Sequence, residues 1–274
     1  MRKSYLATVT IFTILTALPV QAADEVVTSE KKPFWAGDWS LTIGGLGEFA
    51  PRYDGASSRM LFGEPLISIT RAGDVPRFDS QNDNFEFALI DTYSFSAGLA
   101  GKLIFKRDSG TSDDLEGLDP VKFGGEVGGF AEFYPVDWMR VRGELRQGIR
   151  AHKGIVGEVA ADAFYDVTPV IRVSGGPRIN FASKEYFKSY YGVDAKEAAL
   201  SGLSEYHPGG GLKSLGAGAA VTWKTTDKIT TSLYSEYERL KGPAKKSSLV
   251  EERGKRDQFS FGLTATYRFD FTLD

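Results

Sequence analysis

The chain has 274 residues, no cysteine, 42% hydrophobic and 13% aromatic residues, and 33 Lys+Arg against 36 Asp+Glu, a formal net charge of −3. The absence of cysteine excludes a disulfide framework and any thiolate metal site, and the acidic balance speaks against nucleic acid as a partner. The length suits one large all-β domain.

Arg2 and Lys3 open the chain, an apolar run from Tyr5 to Val20 follows, and Val20-Gln21-Ala22 sets small residues where a signal peptidase cuts. These features predict a signal peptide over 1–22 and export. A permanent N-terminal anchor is the competing reading, but the run is shorter than the ~20 residues a spanning helix needs. Residues 23–38, with Glu25, Glu30, Lys31, Lys32 and Trp35, then form a charged leader expected in the periplasm. Without the signal the balance becomes 31 basic against 36 acidic residues, a net −5, because the first 22 residues hold two bases and no acid.

From residue 39 to 274 the chain alternates. In 92–106, Tyr93, Phe95, Ala97, Leu99, Leu103 and Phe105 share one parity, while Ser94, Ser96, Gly98, Lys102 and Lys106 share the other. The last strand repeats the pattern, with Phe259, Phe261, Leu263, Ala265, Tyr267, Phe269 and Phe271 against Gln258, Ser260, Thr264, Thr266, Arg268 and Asp270. A period of two places alternate side chains on opposite faces of a strand. The pattern predicts about twelve strands: 39–50, 59–71, 74–80, 83–90, 92–106, 122–134, 137–150, 153–166, 169–183, 211–224, 227–240 and 257–270. The third and fourth carry the weakest signal, because Asp79 to Asn84 is a polar run.

Tight connections fall at one end of these strands, and the long charged segments 107–121, 184–210 and 241–256 at the other. Short inner turns and long outer loops are the asymmetry of an outer-membrane barrel. The expected fold is therefore an all-β, antiparallel transmembrane β-barrel in the outer membrane, its outer face against lipid and both termini periplasmic. Trp39, Phe49, Tyr93, Phe105, Phe123, Phe133, Tyr165, Phe181, Trp223 and Tyr237, near strand ends, match the aromatic girdles of such a barrel. A soluble barrel with its apolar face inside is the alternative, and the charge of the other parity is too high for a dry core.

That charge is densest on 122–183. Arg140, Arg142, Glu144, Arg146 and Arg150 alternate with Met139, Val141, Leu145 and Ile149. Turning the arginines to lipid costs about 2–4 kcal/mol for each near the midplane, so they must face the lumen. Glu126, Glu132, Glu158, Asp162, Arg172 and Arg178 join them. A hairpin symmetric about Val136 sets Glu132 opposite Arg140 and Glu126 opposite Arg146. The next sets Arg146 opposite Glu158 and Arg142 opposite Asp162, and a third, about Val167, sets Asp162 opposite Arg172. Such a ladder either fills and rigidifies a narrow barrel or lines a solute path.

Catalytic signals are thin. His152 and His207 both fall in expected outer loops, and Ser201 and Glu205 lie near His207. A hydrolase needs a serine and a carboxylate converging on such a histidine. Gly209-Gly210-Gly211 lacks phosphate-loop spacing, no calcium-loop spacing is present, and no metal or cofactor is expected. Gly124-Gly125 and Gly128-Gly129 fall inside a strand, where glycine permits bending and close packing. Asp194-Ala195-Lys196-Glu197 reads as a capping box and Gly202 as a stop, which predicts a one- or two-turn helix over the barrel mouth.

The same loop carries a family likeness. Tyr190-Tyr191-Gly192-Val193, Ala198-Ala199, Ser201-Gly202-Leu203, Tyr206 and Gly211-Leu212-Lys213 closely resemble the signature stretch of the MipA/OmpV family. Pro51-Arg52-Tyr53-Asp54-Gly55, Asp119-Pro120, Tyr237-Glu238-Arg239-Leu240 and Tyr267-Arg268-Phe269 resemble that family in the same order. One departure is the extension of Asp270 to Asp274 past the terminal aromatic. The resemblance implies a non-enzymatic envelope scaffold that joins a lytic murein transglycosylase to a murein synthase. It assigns no catalytic residue. A narrow channel with a charged lumen and an outer-membrane lipid hydrolase remain as alternatives.

Overall fold

The computed structural model describes residues 36–71, 77–80 and 83–274. The expected signal peptide and most of the leader lie outside the described residues. Eleven strands are described: β1 (Gly37–Pro51), β2 (Arg59–Arg71), β3 (Phe85–Thr92), β4 (Phe95–Ile104), β5 (Gly124–Val136), β6 (Met139–Ile149), β7 (Ile155–Thr168), β8 (Ile171–Ala182), β9 (Gly211–Lys224), β10 (Ile229–Leu240) and β11 (Asp257–Leu273). They form one antiparallel sheet, ordered β2-β1-β11-β10-β9-β8-β7-β6-β5-β4-β3. Gly37 pairs with Leu273, so the first and last strands meet and their outer ends share one end of the sheet.

Alternation sets the two faces. Val127, Phe133, Val141, Leu145, Ile149, Val159 and Phe181 are exposed on the outside, while Glu126, Glu132, Arg140, Arg142, Arg146 and Asp162 are buried inside. In water the reverse arrangement would be the stable one. Lipid as the outer solvent accounts for the observed one.

The strand expected over 74–80 does not form in its described part. Residues 77–80 are irregular, 72–76 lie outside the described residues, and the expected 83–90 strand starts at Phe85. β2 and β3 consequently stand at the two edges of the sheet. The described residues between them, 77–80 and 83–84, climb inside the curl. Arg77 pairs with Asp91 near the tight-turn end, Phe78 stacks on Phe164 at 4.5 Å, Asp83 meets Arg140 and Asn84 donates to Glu144. In the wall, one register would set Arg77, Asp79 and Asp83 against lipid and the other Ser80 and Asn84. Either is costly, and the lumen supplies partners for both sets.

The expected hairpin registers also shift. In β5–β6, Glu132 faces Arg142 and Gly128 faces Arg146, with a bulge between Phe133 and Val136. Pro135 has no N–H to donate, which favours the bulge there. In β6–β7, Arg140 faces Asp162 and Glu144 faces Glu158. Arg150, at φ 69°, and the Gly148 N–H to Gly154 carbonyl bond turn the chain earlier than expected. In β7–β8, Asp166 rather than Asp162 faces Arg172. The Thr168 hydroxyl accepts from Val170 and Ile171 N–H at 3.3 and 3.0 Å, moving the turn to Pro169-Val170. Parity survives each shift, so the charged residues within the strands keep their faces; Arg150, expected in the lumen, lies past the end of β6 at φ 69° and is exposed instead. Gly128 permits one close approach: a Cβ there would sit 1.9 Å from the Leu145 carbonyl oxygen.

The long connections fold over one end. Helix α1 (Lys184–Tyr191) buries Tyr186, Phe187 and Tyr191, and α2 (Ala195–Ser201) is held by an Asp194–Glu197 capping box and ended by Gly202 at φ 75°. Tyr53, Leu115, Val193, Leu203 and Leu249, from four different connections, share one apolar cluster. Tyr53 Oη donates to Asp114 at 3.3 Å and Arg52 to the Thr111 carbonyl at 3.1 Å. The loops thus join across the edges that the strands leave apart.

With no native cysteine, single replacements report topology cleanly. Lys196→Cys, in the cap, should react with an impermeant maleimide on intact cells. Asp137→Cys, in the β5–β6 turn, should react only after the envelope is opened. The opposite pattern would invert the topology.

Candidate functional site

The interior is built from five strands, β3 and β5 to β8, and the climbing segment. Arg140 is only 1% exposed and is held by three carboxylates from three elements. Its distances are 2.5 Å to Asp83, 2.7 Å to Asp162 on β7 and 3.4 Å to Glu132 on β5. Its guanidinium also lies over the Phe78 ring at 4.9 Å. Arg142 reaches Glu86 at 2.7 Å, Glu144 at 2.8 Å and Glu132 at 3.3 Å. Arg146 binds Glu126 at 2.7 Å and also Glu144. Arg178 bonds Asp162 at 3.1 Å and Ser80 at 2.6 Å, with Glu158 at 3.6 Å. Each charge is anchored by a neighbour of opposite sign, as burial of ions requires.

The expected members thus divide. Glu126, Glu132, Arg140, Arg142, Arg146 and Asp162 converge in the lumen. Glu158 touches the network through Arg178 rather than through Arg146. Arg172 stands apart, paired with Asp166 at 2.7 Å where both are well solvated. Asp83, Glu86, Glu144 and Phe78 complete the site. Only Glu144 shared the visible arginine parity; Asp83 lay in a polar run that reads as loop.

His152 is buried rather than exposed. Its Nδ1 accepts from the Gly154 N–H at 3.1 Å, which leaves Nε2 to donate to Glu126 at 2.9 Å. Tyr186 and Tyr190 pack edge-on to its ring. His207 is 75% exposed, and Glu205 at 3.8 Å is the partner shown for it. The Ser201 hydroxyl donates to the Glu197 carbonyl at 2.6 Å, a helix contact rather than a nucleophile aimed at a base.

The signature residues build the cap. The Tyr190 carbonyl accepts from Arg107, whose guanidinium lies over the Tyr190 ring at 5.1 Å, and the Tyr191 carbonyl accepts from Ser247 at 2.7 Å. A Cβ on Gly192 would meet the Lys188 carbonyl at 2.6 Å. Val193 and Tyr206 exchange backbone bonds at 2.9 and 2.8 Å, and Tyr206 Oη donates to the Pro243 carbonyl at 2.8 Å. Gly202 ends α2, and Gly211 starts β9 at φ 145°. Asp54, in the β1–β2 connection, meets Lys213 at 2.7 Å, and that charge holds its carboxyl below the usual carboxylate range.

A curled antiparallel sheet, apolar outside and charged inside, defines an outer-membrane-type β-barrel. The chain belongs to the MltA-interacting protein MipA family, which matches residues 43–269. No curated protein matches it. Among solved structures it is similar to the NanC porin, at 8% identity and TM-score 0.42, covering 83% of this chain and 98% of that one. It is also similar to Pseudomonas putida OprB, at 9% identity and TM-score 0.41, covering 85% and 94%. OprG from Pseudomonas aeruginosa follows at 10% identity and TM-score 0.31, covering 85% and 96%.

Arg140→Ala removes the buried cation shared by Asp83, Glu132 and Asp162, leaving them to Arg142 and Arg178, and should destabilise the barrel by about 3–5 kcal/mol. Arg172→Ala breaks a solvated pair and should cost no more than about 1 kcal/mol. Urea unfolding in lipid vesicles compares them, and equal losses would contradict the buried network.

Proposed function

We propose that this protein is an outer-membrane β-barrel that acts as a non-enzymatic scaffold for peptidoglycan-remodelling enzymes. A lytic murein transglycosylase is the expected partner, joined through the scaffold to a murein synthase. The family description, an MltA-interacting protein, supports the transglycosylase. Export by a cleaved signal over 1–22 and partner contact through the leader 23–38 belong to the same proposal.

The observation that carries this reading over a channel is the filled interior. The segment holding Phe78 and Asp83 crosses the lumen, and Arg140, Arg146 and Asp162 are each at most 4% exposed. A conducting path needs mobile, hydrated charges, whereas these are locked to one another. The loop cluster around Tyr53 and Leu249 adds a lid. Against a hydrolase stands the lack, among the described residues, of a nucleophile–base–carboxylate arrangement around either histidine.

Two measurements test the proposal. In planar bilayers the purified protein should show no stepwise conductance, and stable ion-conducting steps would favour the channel instead. Cross-linked envelopes should yield a murein transglycosylase with the intact protein, and loss of residues 23–35 should abolish that recovery. Undiminished recovery would remove the leader from the proposal, and no recovery from the intact protein would remove the scaffold.

A further inference from the structure

The outer face of β3–β8 is not uniformly bulky. Phe85, Leu103, Phe123 and Ile149 wall a cavity of about 430 Å³ whose floor is Gly101 and Gly125. All six share the outward parity, because Lys102 and Glu126 between them take the other face. A second groove, about 740 Å³, lies over Gly129, Gly143 and Gly157 and is walled by Leu145, Val159 and Phe181. Glycines inside a strand often mark a place where another molecule comes close. Here they cut two apolar clefts, of a volume suited to a hydrocarbon ligand, into a face already bathed in lipid.

Charge adds a second and independent observation. The first groove reaches β6 and the second reaches β7, so the β6–β7 connection stands between their loop-end mouths. That connection carries Arg150 and Lys153, both exposed, and Arg150 itself lines the first groove. Arg150 has φ 69°, the only positive-φ residue other than glycine among the described residues. A left-handed position normally goes to glycine, so an arginine held there presents its side chain at a backbone cost. Lys122 is exposed beside Phe123. Among the described residues no carboxylate forms an ion pair with Arg150, Lys122 or Lys153, whereas Lys106 is neutralised by Asp108. Glu126 points the other way, to Arg146 and His152.

We infer that the loop-end half of this face binds a phosphorylated, multiply acylated glycolipid of the outer leaflet. Its acyl chains lie in the two glycine-floored grooves, and its phosphate is taken by Arg150 with Lys122 and Lys153. A guanidinium suits a phosphate because it can offer two parallel N–H donors, and basic residues flanking apolar clefts are how membrane proteins select anionic lipids. The Phe105–Phe123 ring pair, 6.2 Å between centroids, puts the site at the level of the aromatic girdle.

The full chain is reconstituted in phosphatidylethanolamine vesicles doped with equal amounts of diphosphoryl lipid A and phosphatidylglycerol. Lipid retained after mild extraction is counted by native mass spectrometry. The wild type should retain lipid A at least fivefold over phosphatidylglycerol. Arg150→Gly, which suits the left-handed backbone, should cut that preference at least threefold. Gly101→Leu should do the same by filling the groove, since its Cβ meets nothing nearer than the Glu126 carbonyl at 3.7 Å. Lys224→Ala, at the opposite end of the barrel, should leave the preference intact. Equal retention of the two lipids by the wild type means an unspecific anionic surface and overturns the inference. So does an unchanged lipid A preference in both Arg150→Gly and Gly101→Leu, each confirmed folded by its heat-modified gel mobility.

Discussion

The pairing of Arg140 with Asp83, Glu132 and Asp162 is the constraint on which the rest of the interior depends. A guanidinium that is 1% exposed must be neutralised where it sits, and its three partners come from the climbing segment, β5 and β7. Coulombic attraction in such a site is large, yet it does little more than offset the cost of removing ions from water. What it adds is uniqueness. The observed placement of Asp83 against Arg140 goes with Phe78 on Phe164 and Ser80 on Arg178.

Two solvents then shape two cores. Lipid takes the aromatic and aliphatic parity of each strand, so burial of apolar surface inside the wall contributes little, and the interior is polar. Beyond the lipid, where water returns, the apolar cluster moves inward again. Tyr186, Phe187 and Tyr191 in one cluster and Tyr53, Leu115 and Leu249 in the other pack as a soluble protein would. The cap is where the chain's residual hydrophobic core lies, and it ties together connections that the sheet holds apart. The proposed platform role rests on this division, a filled lumen below and packed loops above.

Much of this was legible in the sequence, because a period of two assigns faces without any knowledge of register. The face of Arg142 follows from Val141 and Gly143 beside it, and a register slip by two, as occurred at Pro135, leaves that assignment intact. The capping box at Asp194 was equally legible, since it depends on four consecutive residues. Register itself was not, because it hangs on turn details such as the Thr168 hydroxyl and the left-handed Arg150. The fate of Arg77 to Asn84 was hidden for a different reason. A polar run has no local signal that separates an outer loop from a segment folded into a charged lumen. Helix α1 was missed because its apolar residues come as adjacent pairs, Tyr186-Phe187 and Tyr190-Tyr191, one helical turn apart, in a stretch that alternation could not explain.

Arg140 is what holds Phe78 and Asp83 inside the lumen. Hydrogen–deuterium exchange of the reconstituted protein tests it most directly, because the Ser80 N–H is bonded to the Asp83 carboxylate and the Asp83 N–H to the Ser80 carbonyl, both at 2.9 Å. In the wild type these amides should exchange at least tenfold more slowly than those of the exposed Thr225–Asp227 turn. In Arg140→Ala they should exchange as fast as the turn while the amides of β9 to β11 stay protected. Rapid exchange at Ser80 and Asp83 in the wild type would contradict the claim.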